Sequence, residues 1–116
     1  MSGPALDVFI RWEKGIHVLM NTTSRFPRQL RSVLGQRIDQ KGIDLLVELA
    51  EIRFLSPKEK GEALKRADQS LATLRVLLRL AFQREAIGKK QFHVVSEQLN
   101  EVGKMVGGLR RYIDSK

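Results

Sequence analysis

Two histidines, His17 and His93, are the side chains in this sequence best suited to binding a metal or moving a proton. A di-iron carboxylate site in a helical bundle needs a glutamate three residues before each histidine. Lysines occupy both of those positions, and the glutamates that flank the histidines, Glu13 and Glu97, lie four residues away. Isolated pairs of this kind are typical of helix surfaces. We therefore predict neither a metal nor any other cofactor.

Nucleophilic catalysis has equally little support. The chain has no cysteine, so it has no thiolate nucleophile and no disulfide. No Ser-His-Asp cluster and no glycine-rich phosphate-binding loop fits the helical pattern described below, so we predict that the protein is not an enzyme. Asp44, Glu48 and Glu51 fall on one stripe beside Arg37 and Lys41, and such alternating charges predict a solvent-exposed face.

The basic residues indicate a binding function instead. Of 116 residues, 21 are lysine or arginine and 13 are aspartate or glutamate, which leaves a net charge of +8. Residues 1–53 carry +2 of this charge and residues 54–116 carry +6. Such an excess favours a polyanionic partner, RNA or DNA, or else an acidic protein. Because only 6% of residues are aromatic, contacts with nucleic acid would be mainly to phosphates and weakly sequence-specific.

Arg75 and Arg79 are the leading candidates for such contacts. They lie one helical turn apart in an otherwise apolar stretch, where two guanidinium groups could bridge neighbouring phosphates. Four further candidates are Lys65, Arg66, Arg110 and Arg111. The alternative is that all six are scattered solubilising charges, with Arg110 and Arg111 complementing the dipole at a helix C-terminus.

Prolines and one glycine divide the chain into four helical segments. Pro4, Pro27 and Pro57 lie where helices would begin or connect, and Gly88 marks a further break. Ser56 is the predicted N-cap of the helix that starts at Pro57. The predicted helices span residues 6–24, 28–54, 57–85 and 89–114.

Apolar residues recur at alternating steps of three and four within these segments. A period of about 3.5 residues is typical of helices that cross at about 20°, and short links force neighbouring helices to be antiparallel. We predict an all-α, up-down-up-down four-helix bundle forming a single domain over residues 1–116. Trp12 is predicted to lie in its core. Gly103 and Gly107, four residues apart, would either permit close helix approach or weaken the last helical turns.

The apolar surface is wider than one bundle requires. Between residues 74 and 83 the third helix is apolar around most of its circumference, and the second helix also has extra apolar residues. Such surface predicts a homo-oligomer, with the candidate interface residues Ile43, Leu46, Val76 and Leu80. The alternative is that long arginine and lysine stems cover it. No segment resembles a membrane span or a signal peptide, so we expect a soluble cytoplasmic protein without a membrane partner.

Three stretches of the sequence resemble a known family. They are FPRQLRSVLGQRID (residues 26–39), LRVLLRLA (residues 74–81) and SEQLNEVGKMVGGLRRYI (residues 96–113). The first resembles the link between helices one and two in accessory variability determinant (Avd) proteins of diversity-generating retroelements. It also resembles related four-helix bundle proteins encoded in intervening sequences of large-subunit rRNA genes. The other two stretches look more like the Avd branch, although Leu109 stands where that branch has an aromatic residue.

The resemblance implies a non-enzymatic accessory factor that assembles as a pentameric barrel of bundles. Such a factor binds the element's reverse transcriptase and its template RNA, and supports the mutagenic cDNA synthesis that diversifies a target gene. By position, Arg75 and Arg79 match the arginines of the family's LR-x-x-LR pattern. The alternative implied by the same resemblance is a structural or interaction protein of the rRNA intervening-sequence type.

Overall fold

Four helices account for nearly all of residues 3–115, the part of the chain that the computed structural model describes. Helix α1 spans Pro4–Thr23. Helix α2 continues through three consecutive stretches, Arg28–Leu30, Arg31–Gly35 and Gln36–Ile52. Helix α3 spans Pro57–Gln83 and helix α4 spans Lys89–Asp114. None of the described residues lies in a β-strand, which confirms the predicted all-α class, and each helix ends within two residues of its predicted bounds.

Polar contacts between helices show how they are arranged. Arg11 of α1 donates a 2.8 Å hydrogen bond to Gln98 of α4, whereas Thr22 accepts one of 2.7 Å from Gln91. Residue numbers therefore rise along α1 as they fall along α4, so the two helices are antiparallel. The other packed pairs are α1 with α2, α2 with α3, and α3 with α4. This closed order is that of an up-down-up-down four-helix bundle, with overall dimensions of 46 × 23 × 22 Å.

Most of the core consists of apolar positions that the sequence pattern predicts, although Val8, Phe26 and Ile87 are also buried. In α3 and α4 the buried apolar residues are Ala63, Leu64, Ala67, Leu71, Leu74, Leu78, Ala81, Val95, Leu99, Val102, Val106 and Leu109. Phe9, Phe92 and Ile113, which the spacing of three and four residues also predicts to face the core, are only partly buried against it. Burial of a continuous apolar stripe from each helix is the main force that holds such a bundle together.

Trp12 lies fully buried at the contact between α1 and α2, as predicted. Its indole Nε1 donates a 2.9 Å hydrogen bond to the backbone carbonyl oxygen of Gly42. Gly42 permits this close approach, because a Cβ atom there would lie 2.6 Å from Ile16 Cδ1 and 2.7 Å from Leu19 Cδ2. The sequence pattern locates Trp12 correctly but gives no sign that Gly42 is its partner.

The start of α3 confirms the predicted capping residue. The Ser56 hydroxyl accepts a hydrogen bond from the backbone N–H of Glu59, and the Glu59 carboxylate accepts one of 3.0 Å from the backbone N–H of Ser56. This reciprocal pair is a capping box, and Pro57 fills the first helical position. The backbone hydrogen bond from Ser56 lowers the pKa of Glu59 below its ordinary value.

One local feature of α2 differs from the prediction of a regular helix. Residues Arg31–Gly35 form a π-helical turn. The apolar residues Leu30, Leu34 and Ile38 are spaced four residues apart. In a regular α-helix, each step of four residues places the next side chain about 40° further around the helix than the previous one. A π-helical turn contains more residues, so it reduces this rotation and keeps the side chains on one side of the helix. Both Leu34 and Ile38 are buried.

Candidate nucleic-acid interface

Arg75 is exposed on α3 beside the groove between α3 and α4. Its Nη2 atom lies 3.5 Å from the backbone carbonyl oxygen of Leu99. Gly103 leaves room for this guanidinium group, because a Cβ atom at that position would lie 2.9 Å from Nη2. Gly103 therefore accommodates an arginine of the neighbouring helix, and α4 remains helical through this region as far as Asp114.

Arg79 is exposed one turn further along the same groove. A cavity of about 210 Å³ is bordered by both arginines, and its other lining residues are Leu78, Phe92, Ser96, Leu99 and Asn100. Neither arginine forms an ion pair with any residue in the described range 3–115. The structure thus brings the two leading candidates together beside a groove with an apolar floor and a polar rim, and leaves both positive charges available.

The two arginines near the end of α4 differ from each other. Arg110 forms an ion pair with Asp68 of α3, so its charge is largely neutralised within the bundle. Arg111 is exposed, and its Nη1 atom lies 3.5 Å from the position that a Cβ atom of Gly107 would take. Of this pair, Arg111 is the better placed to meet an external anion.

Lys65 and Arg66 are both exposed but lie on different sides of α3. Arg66 is one turn before Ser70, whose hydroxyl donates a 2.9 Å hydrogen bond to Glu48 of α2. At about 100° per residue, Arg66 therefore faces the α2 side of α3 and Lys65 points outward. The six predicted residues consequently do not form one continuous surface.

The candidate interface residues form two pairs on different sides of the bundle. Val76 and Leu80, which are 67% and 44% exposed, lie on the outer face of α3, where Val76 points away from the core as Lys65 does and Leu80 is turned toward α2. Ile43, 36% exposed, and the partly buried Leu46 lie on the α1 side of α2, beside the turn that carries Gly42.

Polar residues separate the two apolar pairs. Gln40 and Asp44, joined by a 3.0 Å hydrogen bond, lie on α2 between them. Each protomer therefore presents two distinct apolar patches, which we call the Val76 patch (Val76 and Leu80) and the Ile43 patch (Ile43 and Leu46).

Positive charge is concentrated at one end of the bundle. The α1–α2 and α3–α4 connections lie at the same end in this topology. Residues 24–37 and 83–92, which we call the basic end, contain seven basic residues and one acidic residue, a net charge of +6 out of +8. The basic residues are Arg25, Arg28, Arg31, Arg37, Arg84, Lys89 and Lys90, all exposed. Dividing the sequence at residue 53 hides this concentration, because it separates the two segments.

Two carboxyl groups are partly buried, Glu48 of the predicted charged stripe and Asp39, for which no prediction was made from the sequence. Glu48, predicted to face solvent, instead faces α3 and accepts the hydrogen bond from Ser70. Asp39 accepts a 2.6 Å hydrogen bond from the Thr23 hydroxyl. Burial raises the pKa of both carboxyl groups above their ordinary values, and the hydroxyl donors oppose this increase in part.

A further cavity lies at the opposite end of the bundle. Its volume is about 510 Å³, and apolar or aromatic residues such as Leu6, Phe54 and Ile113 line most of it. Among the described residues that line it, Arg53 and Lys60 carry charge. Within residues 3–115, no three His, Cys, Asp or Glu side chains come together as a metal site, and no helix is long and apolar enough to cross a bilayer.

These observations define a basic four-helix bundle protein with an arginine-bordered groove and two apolar patches. The chain belongs to the bAvd-like family, whose sequence model matches residues 9–113. Among curated proteins, no significant match to the chain is found. Membership confirms the resemblance to Avd proteins, a family of accessory, non-catalytic proteins, and supports an accessory role in a diversity-generating retroelement.

Proposed function

We propose that this protein binds the reverse transcriptase and the template RNA of a diversity-generating retroelement and supports mutagenic cDNA synthesis. The observation that carries the proposal is the family match over residues 9–113, which covers all four helices. The protein acts as a binding partner in this scheme and contributes no catalytic group.

The charge of the protein supports the RNA-binding part of the proposal. A net charge of +8 attracts a polyanion, and neither Arg75 nor Arg79 is neutralised by an ion pair within residues 3–115. Guanidinium groups one turn apart suit neighbouring phosphates or acidic side chains. Contacts of this kind give affinity with little sequence specificity.

The two apolar patches support assembly as a ring. A symmetric dimer uses the same patch on both protomers, whereas a ring joins one patch to a different patch on the next protomer. The Val76 patch and the Ile43 patch meet that second requirement. We propose a cyclic homo-oligomer in which these patches pack together, with five protomers as the family resemblance implies.

Reconstituted cDNA synthesis tests the proposed function directly. The cognate reverse transcriptase and template RNA would be assayed with and without the protein, and with heat-denatured protein as the control. We expect synthesis from the template repeat to depend on the folded protein. Equal synthesis in its absence, together with no complex formation, would favour the structural rRNA intervening-sequence type of role instead.

A further inference from the structure

We propose that the basic end is the main phosphate-binding surface of this protein and that its ligand is the backbone of RNA. This inference rests on the proposed RNA-binding function and assigns a location to it. Arg79 lies one turn before the end of α3, so the groove arginines extend the basic end along the side of the bundle. The surface is nevertheless distinct from the groove, since its charges come from the two connections and the helix ends beside them.

The charges of the basic end are not used inside the protein. Within residues 3–115 the ion pairs are Lys41–Asp44, Lys104–Glu101 and Arg110–Asp68, and none involves the basic end. Arg31 makes one hydrogen bond, of 3.4 Å, to the backbone carbonyl of Ser24. Seven exposed cations close together repel one another, and they gain most from a ligand that carries many negative charges.

Some of these charges oppose ordinary helix electrostatics, whereas Arg25 and Arg84 follow the C-termini of α1 and α3, where the helix dipole favours cations. Helices α2 and α4 begin at the basic end, and neither has an acidic residue in its first turn or a side-chain cap. Lys89 and Lys90 begin α4 instead, where the helix dipole disfavours cations. Helices α1 and α3 begin at the opposite end, and their first turns carry Asp7 and Glu59. An external anion at the basic end would compensate for an arrangement that the isolated bundle does not favour.

The size of the surface suits a nucleic-acid strand. The bundle is 23 × 22 Å across, so the basic end presents net +6 on a face of that width. A duplex presents one negative charge per about 1.7 Å of its axis, and a segment as long as this face therefore offers more than enough phosphates for seven cations. Within residues 24–37 and 83–92 no aromatic side chain is exposed, and the neighbouring Phe82, 38% exposed, stacks on Phe92, so contact with the backbone is favoured over stacking on bases.

A matched pair of double variants tests this location. Lys89→Gln/Lys90→Gln removes two charges from the basic end. Lys14→Gln/Lys58→Gln removes two exposed lysines elsewhere and gives the same net charge. Affinity for a labelled single-stranded RNA of about 20 nucleotides would be measured by fluorescence anisotropy over a range of salt concentrations, with the full-length protein.

We expect Lys89→Gln/Lys90→Gln to weaken binding about 25-fold near 0.1 M salt and to reduce the slope of log K against log salt by about 1.4, because two phosphate contacts are lost. Its melting temperature should stay the same or rise, since cations leave the first turn of α4. The Lys14→Gln/Lys58→Gln control should bind almost as tightly as the unchanged protein. Because the melting temperature is measured as well, weaker RNA binding caused by unfolding would be recognised by a lower melting temperature.

Two other outcomes are distinguishable. If the unchanged protein binds RNA and both variants bind it equally, the location is wrong while RNA binding stands. If the unchanged protein fails to bind RNA near 50 mM salt, RNA binding itself is refuted, and the location with it. A Lys89→Gln/Lys90→Gln variant that keeps RNA affinity but no longer retains the reverse transcriptase on a column would overturn the RNA assignment and assign the surface to that protein.

Discussion

The indole N–H of Trp12 and the backbone carbonyl of Gly42 form a buried hydrogen bond of 2.9 Å between α1 and α2. Because a carbonyl oxygen has two lone pairs, the oxygen of Gly42 can accept the indole in addition to a helical N–H. The missing side chain at Gly42 is what lets Ile16 and Leu19 pack against α2. The spacing of the two helices therefore depends on one glycine.

Gly42→Ala should lower the free energy of unfolding by about 1–3 kcal/mol, because the new methyl group overpacks a filled contact. This loss should exceed the gain in helix propensity that alanine brings. Gly61→Ala in α3 is the matched control. Apart from its own helical turn, no described atom lies within 4 Å of the Cβ position there, so stability should rise by up to about 1 kcal/mol. Chemical denaturation measures both changes, and a shift of the same sign in the two variants would contradict the steric explanation.

Arg75→Ala/Arg79→Ala should leave the fold and the oligomer intact while complex formation or cDNA synthesis falls sharply. Both side chains are exposed and outside the core, and the single changes should have smaller effects. Lys14→Ala/Lys58→Ala, which removes the same net charge, serves as the control. A melting curve and a sizing column precede the activity assay. Loss of assembly before loss of RNA or transcriptase binding would show that the arginines join protomers instead.

Gly103→Ala should be tolerated or mildly stabilising, in contrast to Gly42→Ala. Apart from its chain neighbours, the described residue that lies within 4 Å of the new Cβ is Arg75, whose mobile end can move toward solvent. The gain should be larger when Arg75→Ala is present, because the new methyl group then meets no obstacle. A double-mutant cycle of unfolding free energies measures this coupling. Additive effects of the two changes would mean that Arg75 does not rest over Gly103 in solution.

Val76→Glu and Ile43→Glu should each block assembly, because a carboxylate in an apolar contact is costly to bury. Each variant should remain folded and give a mass near 13.2 kDa by light scattering. Mixing the two variants should restore one intact contact and yield a dimer, since each retains the patch that the other has lost. Asn21→Glu, on the exposed face of α1, is the control for added negative charge. Unmixed variants that still assemble fully would refute the two-patch ring.

Glu48→Gln should stabilise the protein at pH 7. Burial raises the folded-state pKa of Glu48, so the folded protein binds that proton more tightly than the unfolded chain does. The stability contributed by this group is present below the unfolded pKa, near 4.5, and is lost as pH rises through the folded pKa. The advantage of Glu48→Gln should therefore shrink as the pH falls toward 4.5 and below.

Thermal unfolding across this pH range tests the effect of Glu48→Gln. Glu62→Gln, at an exposed position on α3, corrects for the change in net charge. Destabilisation by Glu48→Gln at pH 7 would show that the attraction of Lys41 and Arg66 for the carboxylate outweighs its burial.

Apolar spacing and proline positions were sufficient to predict the helices and core, because burial of one stripe per helix determines both. The role of Ser56 as the N-cap of α3 was also predicted from the sequence, because a capping pattern involves only neighbouring residues. The glycine at position 42 and the π-helical turn at Arg31–Gly35 depend on contacts with other helices, so no local pattern reveals them. The same limit applies to Glu48, whose burial depends on which helix lies beside it.

Prediction of the site was less complete, because it required knowing which segments meet in space. Arg75 and Arg79 were selected as candidates from their spacing, and the structure places both beside one groove. The pairing of Arg110 with Asp68, in contrast, joins residues 42 positions apart. The basic end combines residues 24–37 with residues 83–92, and only the topology brings those segments together. Because the bundle topology can itself be predicted from the sequence, the basic end is visible when charge is summed for each end of the bundle instead of for each half of the chain.

The even number of helices determines how the protein can be attached to other molecules. Helix α1 starts at Pro4 and helix α4 finishes at Asp114 at the same end of the bundle, opposite the two basic connections. A tag, dye or surface linker joined beyond either of these residues is therefore attached at the end of the bundle opposite the basic end, and the bundle is 46 Å long. Protein immobilised in this way presents Lys89 and its neighbours to the solution, with the tether directed away from them.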